Sequence, residues 1–371
     1  MTLPRLGALF ALSAAAACSF RVHPAGGDAP AGDTGGGGGD APGDAAPRYR
    51  KHITLTASSP TTLTDFPASI VLSDPALAMH ARPDGSDLAF TAADGTPLSF
   101  EIVHYAAGSL EAWVRVPALA ASAELYLTYG GAPATSPGAT WSPAVFAAAW
   151  HFGEAQPPWT DSAAPHPTAA ASTTTTPAVV TGIAGSALSF DGVDDTTSAG
   201  DPADGSLDFG TSSFSVGCWV NVTTSADPYD AVIDKGGDTS IAGYMFSLGT
   251  SNWLVEVGDG GVTTPYALFG QETSLLGHWN HLVAVIDRGA QTLTAYTNGA
   301  LAQQVSIAGY GSFDATKDFA IGTATQMYRF AGLVDEVRVY KTALSADWIA
   351  AEHANLASPG TFVTVGAEEI Y

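Results

Sequence analysis

Short apolar/polar alternations, broken by turn residues and repeated from Tyr49 to Tyr340, constrain this chain more than any other feature. Thr292–Thr297 and Ala300–Ser306 are joined by Asn298-Gly299, a pair that tolerates positive φ and closes tight hairpins. In Leu110–Val116 the residues Glu111, Trp113 and Arg115 share one face, and Leu110, Ala112, Val114 and Val116 the other. Further strands are expected at Tyr49–Thr56, Phe66–Leu72, Leu88–Thr91, Leu98–Tyr105 and Glu124–Tyr129. Past residue 147 they recur at Ala148–Phe152, Ala187–Phe190, Ser213–Val222, Ala231–Asp234, Tyr244–Leu248, Trp253–Val257, Trp279–Ile286 and Val334–Tyr340. Only 13% of residues are charged, so apart from alanine the good helix formers are scarce. One helix is expected from Ser345 to about Ala354, capped by Ser345, and one helical turn after Asp74-Pro75. Many short strands between turns predict an all-β chain built of sandwiches.

The first 47 residues follow another logic. Residues 1–18 hold one early positive charge and the apolar run Leu6–Ala17, too short to span a bilayer and of signal-peptide length. The run ends Ala15-Ala16-Ala17-Cys18, which resembles a bacterial lipoprotein signal with Cys18 as the lipidated residue; an ordinary secretory signal cut at Ala-x-Ala is the alternative. Residues 19–47 are Gly/Ala/Asp/Pro-rich, including Gly35 to Gly39, and have too few apolar groups to order themselves. As a coil, the two dozen residues from Ala25 to Pro47 reach roughly 25 Å, enough to hold a folded head away from a membrane. Ser19 after the cysteine leans towards the outer membrane, by resemblance to bacterial lipoproteins.

A net charge of -23 argues against nucleic acid, whose phosphates it repels, and against adhesion to anionic lipid. With Cys18 in the export segment, Cys218 is left alone, a small core residue within Phe214–Val220 with no basic neighbour to activate it.

Residues 48–147 resemble a bacterial β-domain family of unknown function that precedes laminin-G-like domains. The resemblance rests on Tyr49–Leu55, Asp65-Phe66-Pro67, Ala81–Phe90, Ala112–Pro117 and Leu125–Gly131. Residues 148–371 resemble the laminin-G-like, concanavalin A-like lectin/glucanase sandwich. Here the matching segments are Ala149–Phe152, Gly185–Gly192, Phe214–Val220, Gly277–Val285, Tyr296–Gly299, Gly332–Tyr340 and Ala343–Ser345. The resemblance implies a small N-terminal β-sandwich followed by a jelly roll of two antiparallel sheets. Its members mostly bind glycans or proteins, often with calcium, and some are glycosidases.

Asp335 shares parity with Leu333, Val337 and Val339, an apolar set expected to face the core, so its carboxylate needs a partner. Two readings stand. One is a structural calcium ion held by Asp335 with Asp191 and Asp161, which the resemblance places beside the closing strand; the other is capping by backbone N–H groups. His278-x-x-His281 lacks the helical spacing of a metalloprotease pair, and a structural role is expected. The Glu-x-Asp-x-x-Glu string of the superfamily's glucanases does not occur. Its nearest approach, Glu256–Asp259, has the wrong spacing, so no catalytic residue is assigned. Tyr229, Trp253, Tyr266, Tyr310 and Tyr328 lie in or near turn-rich segments and are the candidate sugar-stacking aromatics, whereas Trp219 and Trp279 are expected in the core. The leading reading is a monomeric, envelope-tethered, non-catalytic protein that binds a glycan or a surface protein. Against it stand a structural or adhesion protein without a discrete ligand, and an atypical glycosidase.

Overall fold

The alternating runs become pleated strands whose apolar sides close over two cores. The computed structural model describes residues 48–164, 169–170, 176–224, 230–236, 242–249, 251–261, 263–324 and 328–371; the proposed lipidation residue Cys18 and Tyr229 lie outside them. The first strands are β1 (Tyr49–Thr56), β2 (Leu63–Ser73), β3 (Ala89–Ala92), β4 (Phe100–Ala106), β5 (Ser109–Leu119), β6 (Ser122–Tyr129), β7 (Phe146–Trp150) and β8 (Ala169–Ala170). They continue with β9 (Ala178–Thr181), β10 (Ser186–Asp191), β11 (Thr197–Gly200), β12 (Phe214–Thr224), β13 (Ala231–Lys235), β14 (Ala242–Leu248), β15 (Asn252–Asp259) and β16 (Tyr266–Gln271). The last are β17 (Trp279–Asp287), β18 (Thr292–Thr297), β19 (Ala300–Ser306), β20 (Phe319–Ile321), β21 (Thr323–Ala324), β22 (Tyr328–Arg329), β23 (Ala331–Tyr340) and β24 (Val363–Ile370). Four short helices interrupt them, α1 (Pro75–His80), α2 (Glu272–Leu275), α3 (Ala346–Ala357) and α4 (Pro359–Phe362).

The strands form four sheets, and the all-β expectation holds. In order they run β24-β1-β6-β3, then β2-β5-β4, then β19-β18-β17-β12-β23-β10-β9 with β7 also on β23, and finally β16-β15-β14-β13-β20-β11-β8 with β21 and β22 alongside. The first two sheets pack around Ile53, Phe66, Val114 and Leu127. The last two enclose Val216, Phe246, Trp253, Val255 and Val337 as a jelly-roll sandwich.

The expected boundary at 147/148 is crossed at the C-terminus. Strand β24 pairs antiparallel with β1, Tyr49 facing Ile370 and Leu55 facing Val363, so the chain's last strand completes the first sheet. Helix α3 is capped by Ser345, as expected, and seals the joint, because Asn355 both accepts from the Ser69 N–H at 2.7 Å and donates to the Ser69 carbonyl at 3.1 Å. The middle of the third sheet is thereby buried on both sides. Its Val216, Cys218 and Val220 face the second core, while Trp219, Val283, Val285 and Tyr340 face the first.

Candidate functional site

Closure of the second sandwich turns one side of β15 and β16 towards solvent, while on β13 and β14 the same side is covered, with Ala231, Asp234, Met245 and Ser247 buried. In β15 the residues Trp253, Val255 and Val257 point into the core, which sends Leu254 and Glu256 to the other side. The neighbouring strands follow the same rule. Tyr266 pairs with Glu256, Glu256 with Met245, and Met245 with Asp234, a row running across four strands. A second row pairs Leu268 with Leu254, Leu254 with Ser247 and Ser247 with Ala231. Tyr328 packs on Ala231 and Met245 on this same side. Tyr266 is 51% exposed, Tyr328 and Glu256 are half-buried, and Asp234 is buried. Burial raises the Glu256 carboxyl above its ordinary range. The reachable part of the face, Tyr266, Leu254, Leu268 and Glu256, thus offers aromatic and apolar surface beside one carboxylate, on which a sugar ring can stack.

The four candidate aromatics among the described residues separate. Tyr266 and Tyr328 lie on the face. Tyr310 sits at its margin, half-buried against the core, its hydroxyl 3.2 Å from that of Thr263. Trp253 is corrected to a core residue, fully buried and edge-on to Phe330. Its place beside a turn had suggested exposure, but its parity in β15 decides the direction. The two acids of Glu256–Asp259 also part: Asp259 lies at the strand end and accepts from the N–H groups of Gly311 and Gly261.

The three acids expected to share a metal do not meet. Asp335 Oδ2 accepts from the N–H groups of Ile183 and Ala184 at 2.9 and 3.2 Å, and Oδ1 from the Glu336 N–H at 2.7 Å. That is the backbone-capping alternative. Burial and the neighbouring Glu336 charge push the Asp335 pKa up. Asp161 is spent on the N–H groups of Ala149 and Ala163. Asp191 faces Ala331, four residues from Asp335 along β23 and so about 13 Å away. It lies instead with Asp194 and Asp195, their ligand atoms within 4.8 Å of one another, in an exposed turn where Asp191 Oδ1 accepts from the Val193 and Asp194 N–H groups. These three carboxylates fit a cation better than Asp335 does, but supply only part of the six to eight oxygens calcium takes.

The parity argument for Asp335 failed because β23 carries a bulge. Trp219 faces Asp335 whereas Gly217 faces Arg338, so β23 spends one residue more than β12, and Glu336 sits at φ 50°. Val334 before the bulge and Val337 and Val339 after it therefore share one core. The bulge aims Glu336 at the joint between the sandwiches. There it accepts from His151 Nδ1 at 2.9 Å and from the Arg338 guanidinium at 2.6 Å. Arg338 also pairs with Glu352 of α3, which takes the Tyr340 hydroxyl, and lies 4.5 Å from the Trp113 ring centroid. Burial works against the Glu336 charge, but His151 and Arg338 hold its pKa below the usual value. Glu111 of β5 also faces this group, and burial together with the Glu336 charge pushes its pKa up to about 7. Sequence reasoning missed this cluster, since Glu336 and Arg338 alternate as solvent-facing residues of an edge-like pattern would. It is sealed from solvent and serves the joint, not a ligand.

His281 and Cys218 are structural, as expected. His281 is buried in a stack with Trp219 and His353, and burial drives its pKa well below normal. Burial likewise raises the Cys218 thiol far from reactivity. In the first sandwich a depression of about 300 Å³ between Ala92–Leu98, Val116–Ala118 and Ala123–Leu125 is mostly apolar. Its two acids are occupied, Asp94 by the Thr96 N–H and Glu124 by Thr54 and His52.

Residues 191–350 match the family model described as the concanavalin A-like lectin/glucanases superfamily. The match covers less than half of the chain and falls within its C-terminal sandwich, which is similar to laminin-G-like, concanavalin A-like lectin/glucanase domains. No curated protein matches the chain. Among solved structures it is similar to the binding domain of Paraclostridial Mosquitocidal Protein 1, with 14% identity, 58% of this chain and 53% of that one covered, and a TM-score of 0.49. It is also similar to domain 4 of AbnA, a GH43 extracellular arabinanase from Geobacillus stearothermophilus, in complex with arabinotriose, with 20% identity, 55% and 96% covered, and a TM-score of 0.42. The binding domain of botulinum neurotoxin serotype G follows at 12% identity, 57% and 51% covered, and a TM-score of 0.47. This chain spans about half the length of the two toxin domains. Likenesses this distant carry no inference about its ligand.

Proposed function

We propose that this chain is an exported, envelope-tethered, non-catalytic binding protein that takes a glycan on the outer side of β15 and β16. The carrying observation is the cross-strand pair Tyr266–Glu256 at the edge of this sheet, in which an exposed aromatic ring stands directly beside a desolvated carboxylate. Stacked sugar faces and hydroxyls that bridge carboxylate oxygens suit that combination. The tether is Cys18, in the outer membrane and as a monomer. Its support is the Ala15–Cys18 pattern and the linker composition. Labelled palmitate that enters the wild type but not Cys18→Ser is the expected result; equal labelling ends the tether reading. Calcium stays in the proposal at Asp191, Asp194 and Asp195 in place of Asp335 and Asp161, and a melting temperature identical in chelator and in excess calcium removes it.

A glycan array probed with the full chain tests the binding reading. We expect retention on a subset of glycans, lowered about tenfold by Tyr266→Ala. Retention on none, or an unchanged profile in the variant, defeats it. A second reading, glycoside hydrolysis, needs a second acid facing Glu256, and the acid two strands away on the same side, Asp234, is buried about 10 Å off. Release of reducing ends by the wild type, abolished in Glu256→Gln, would replace binding by catalysis.

A further inference from the structure

The same face has a charge pattern that narrows its ligand. Strands β13 to β16 carry Asp234, Glu256 and Asp259 but a single basic residue, Lys235. Lys235 does not reach the face. Its Nζ is fully buried, donating to Asp201 at 2.7 Å and to the carbonyls of Ala315 and Lys317 at 2.6 and 2.9 Å. Arg329, across from Ala231, is drawn off to the Asp194 carbonyl at 2.9 Å. The Glu256 side chain is half-buried, and no hydrogen bond or ion pair among the described residues offsets its desolvation. Beside it, as its cross-strand partner, stands the 51% exposed ring of Tyr266. Cross-strand partners hold their Cβ atoms about 5 Å apart, so ring and carboxylate can contact one group together.

We propose that this face selects glycans bearing free amino groups, the sugar ammonium lying between the Glu256 carboxylate and the Tyr266 ring; this rests on the glycan-binding reading above. An ammonium is the one common sugar substituent that satisfies both neighbours, by a charge-assisted hydrogen bond to the carboxylate and by attraction to the ring face. It also restores what burial took from Glu256. Neutral N-acetyl sugars gain only the stacking. Uronates and sulfated sugars meet the Glu256 carboxylate on the face and a net charge of -23 behind it.

The test is calorimetric titration of the full chain with three oligosaccharides: oligoglucosamine, its N-acetylated counterpart and oligogalacturonate. Glu256→Gln and Tyr266→Ala probe the face. Asp94→Asn, in the first sandwich, removes the same formal charge elsewhere, and thermal melts confirm that each variant is folded. Oligoglucosamine is expected to bind at least about tenfold tighter than the acetylated sugar. Glu256→Gln should erase that preference, Asp94→Asn should keep it, and the preference should weaken as salt rises to about 0.15 M. Equal or tighter binding of the acetylated sugar overturns the amine selectivity and leaves glycan binding standing. Equal losses in Asp94→Asn and Glu256→Gln overturn it too, since they reveal a generic attraction to the whole protein. Binding of none of the three, together with a blank glycan array, overturns the binding reading itself.

Discussion

Replacing Glu111 by glutamine should make this protein more stable at pH 8 while leaving it little changed at pH 5. Glu111 lies on β5, on the face that the second sandwich covers, and is 9% exposed. Its oxygens pack against the 182–185 turn so closely that a Cβ added at Gly185 would lie 2.5 Å from Oε2. Burial comes first among the causes of its raised pKa and the Glu336 charge second, with His151 opposing both. The folded protein therefore keeps this proton up to about pH 7, whereas the unfolded chain releases it near 4.5. Between those values the folded state binds more protons, so the contribution to stability is complete below pH 4.5 and is lost as pH rises through 7. At about 1.4 kcal/mol per unit the full loss is about 3 kcal/mol. Glutamine has no proton to lose. The variant should accordingly gain on the wild type by about 2.5 kcal/mol between pH 5 and about pH 8. Urea unfolding of both proteins across that range reads the difference directly, because titrations shared by the two cancel. A gap that does not change with pH, or one that favours the wild type at the alkaline end, refutes the reasoning.

Three further outcomes test the joint. Arg338→Met leaves Glu336 and Glu352 buried without their cation and should cost about 3–5 kcal/mol in urea unfolding; a loss under about 1 kcal/mol would mean the ion cluster is not holding the sandwiches together. Asn355→Ala strips the Ser69 N–H and carbonyl of their partner and should cost about 2 kcal/mol, with faster amide exchange centred on β2; uniform exchange throughout the protein would speak against α3 as a local clasp. His281 is held neutral by burial, with His353 and Arg338 adding to the depression, so its contribution is present above the unfolded pKa near 6.5 and lost as pH falls below it. His281→Phe should flatten the acid limb of the stability profile below about pH 6, and an unchanged limb would show that other groups drive acid unfolding.

Most of the architecture was legible from the residues. Asn298-Gly299 and the alternation around it placed β18 and β19 to the residue, and Ser345 placed the start of α3. Eight strands escaped, β8, β9, β11, β16, β20, β21, β22 and β24, and the two longest show the local reasons. β24 carries Gly366 and two glutamates and reads as a solvated tail, and the six residues of β16 include a glycine, so neither has a strong period of its own. Each is stabilised by the neighbour it pairs with, β1 and β15, and pairing between residues far apart in sequence leaves no local trace. The site followed the same division. Alternation in β15 already sends Glu256 and Trp253 to opposite sides, and that signal outweighs Trp253's nearness to a turn.

The residues alone determined that this chain is β, where its turns fall and which side chains share a face, because those follow from a two-residue period and from the φ preferences of Gly and Asn. They could not determine which face meets solvent. The Glu111–Trp113 face of β5 and the Glu336–Arg338 face of β23 carry charge, yet both are buried. One extra residue in β23 and the return of β24 to β1 bring those faces together, and opposite charges that meet in a dry joint can be buried where a single one cannot.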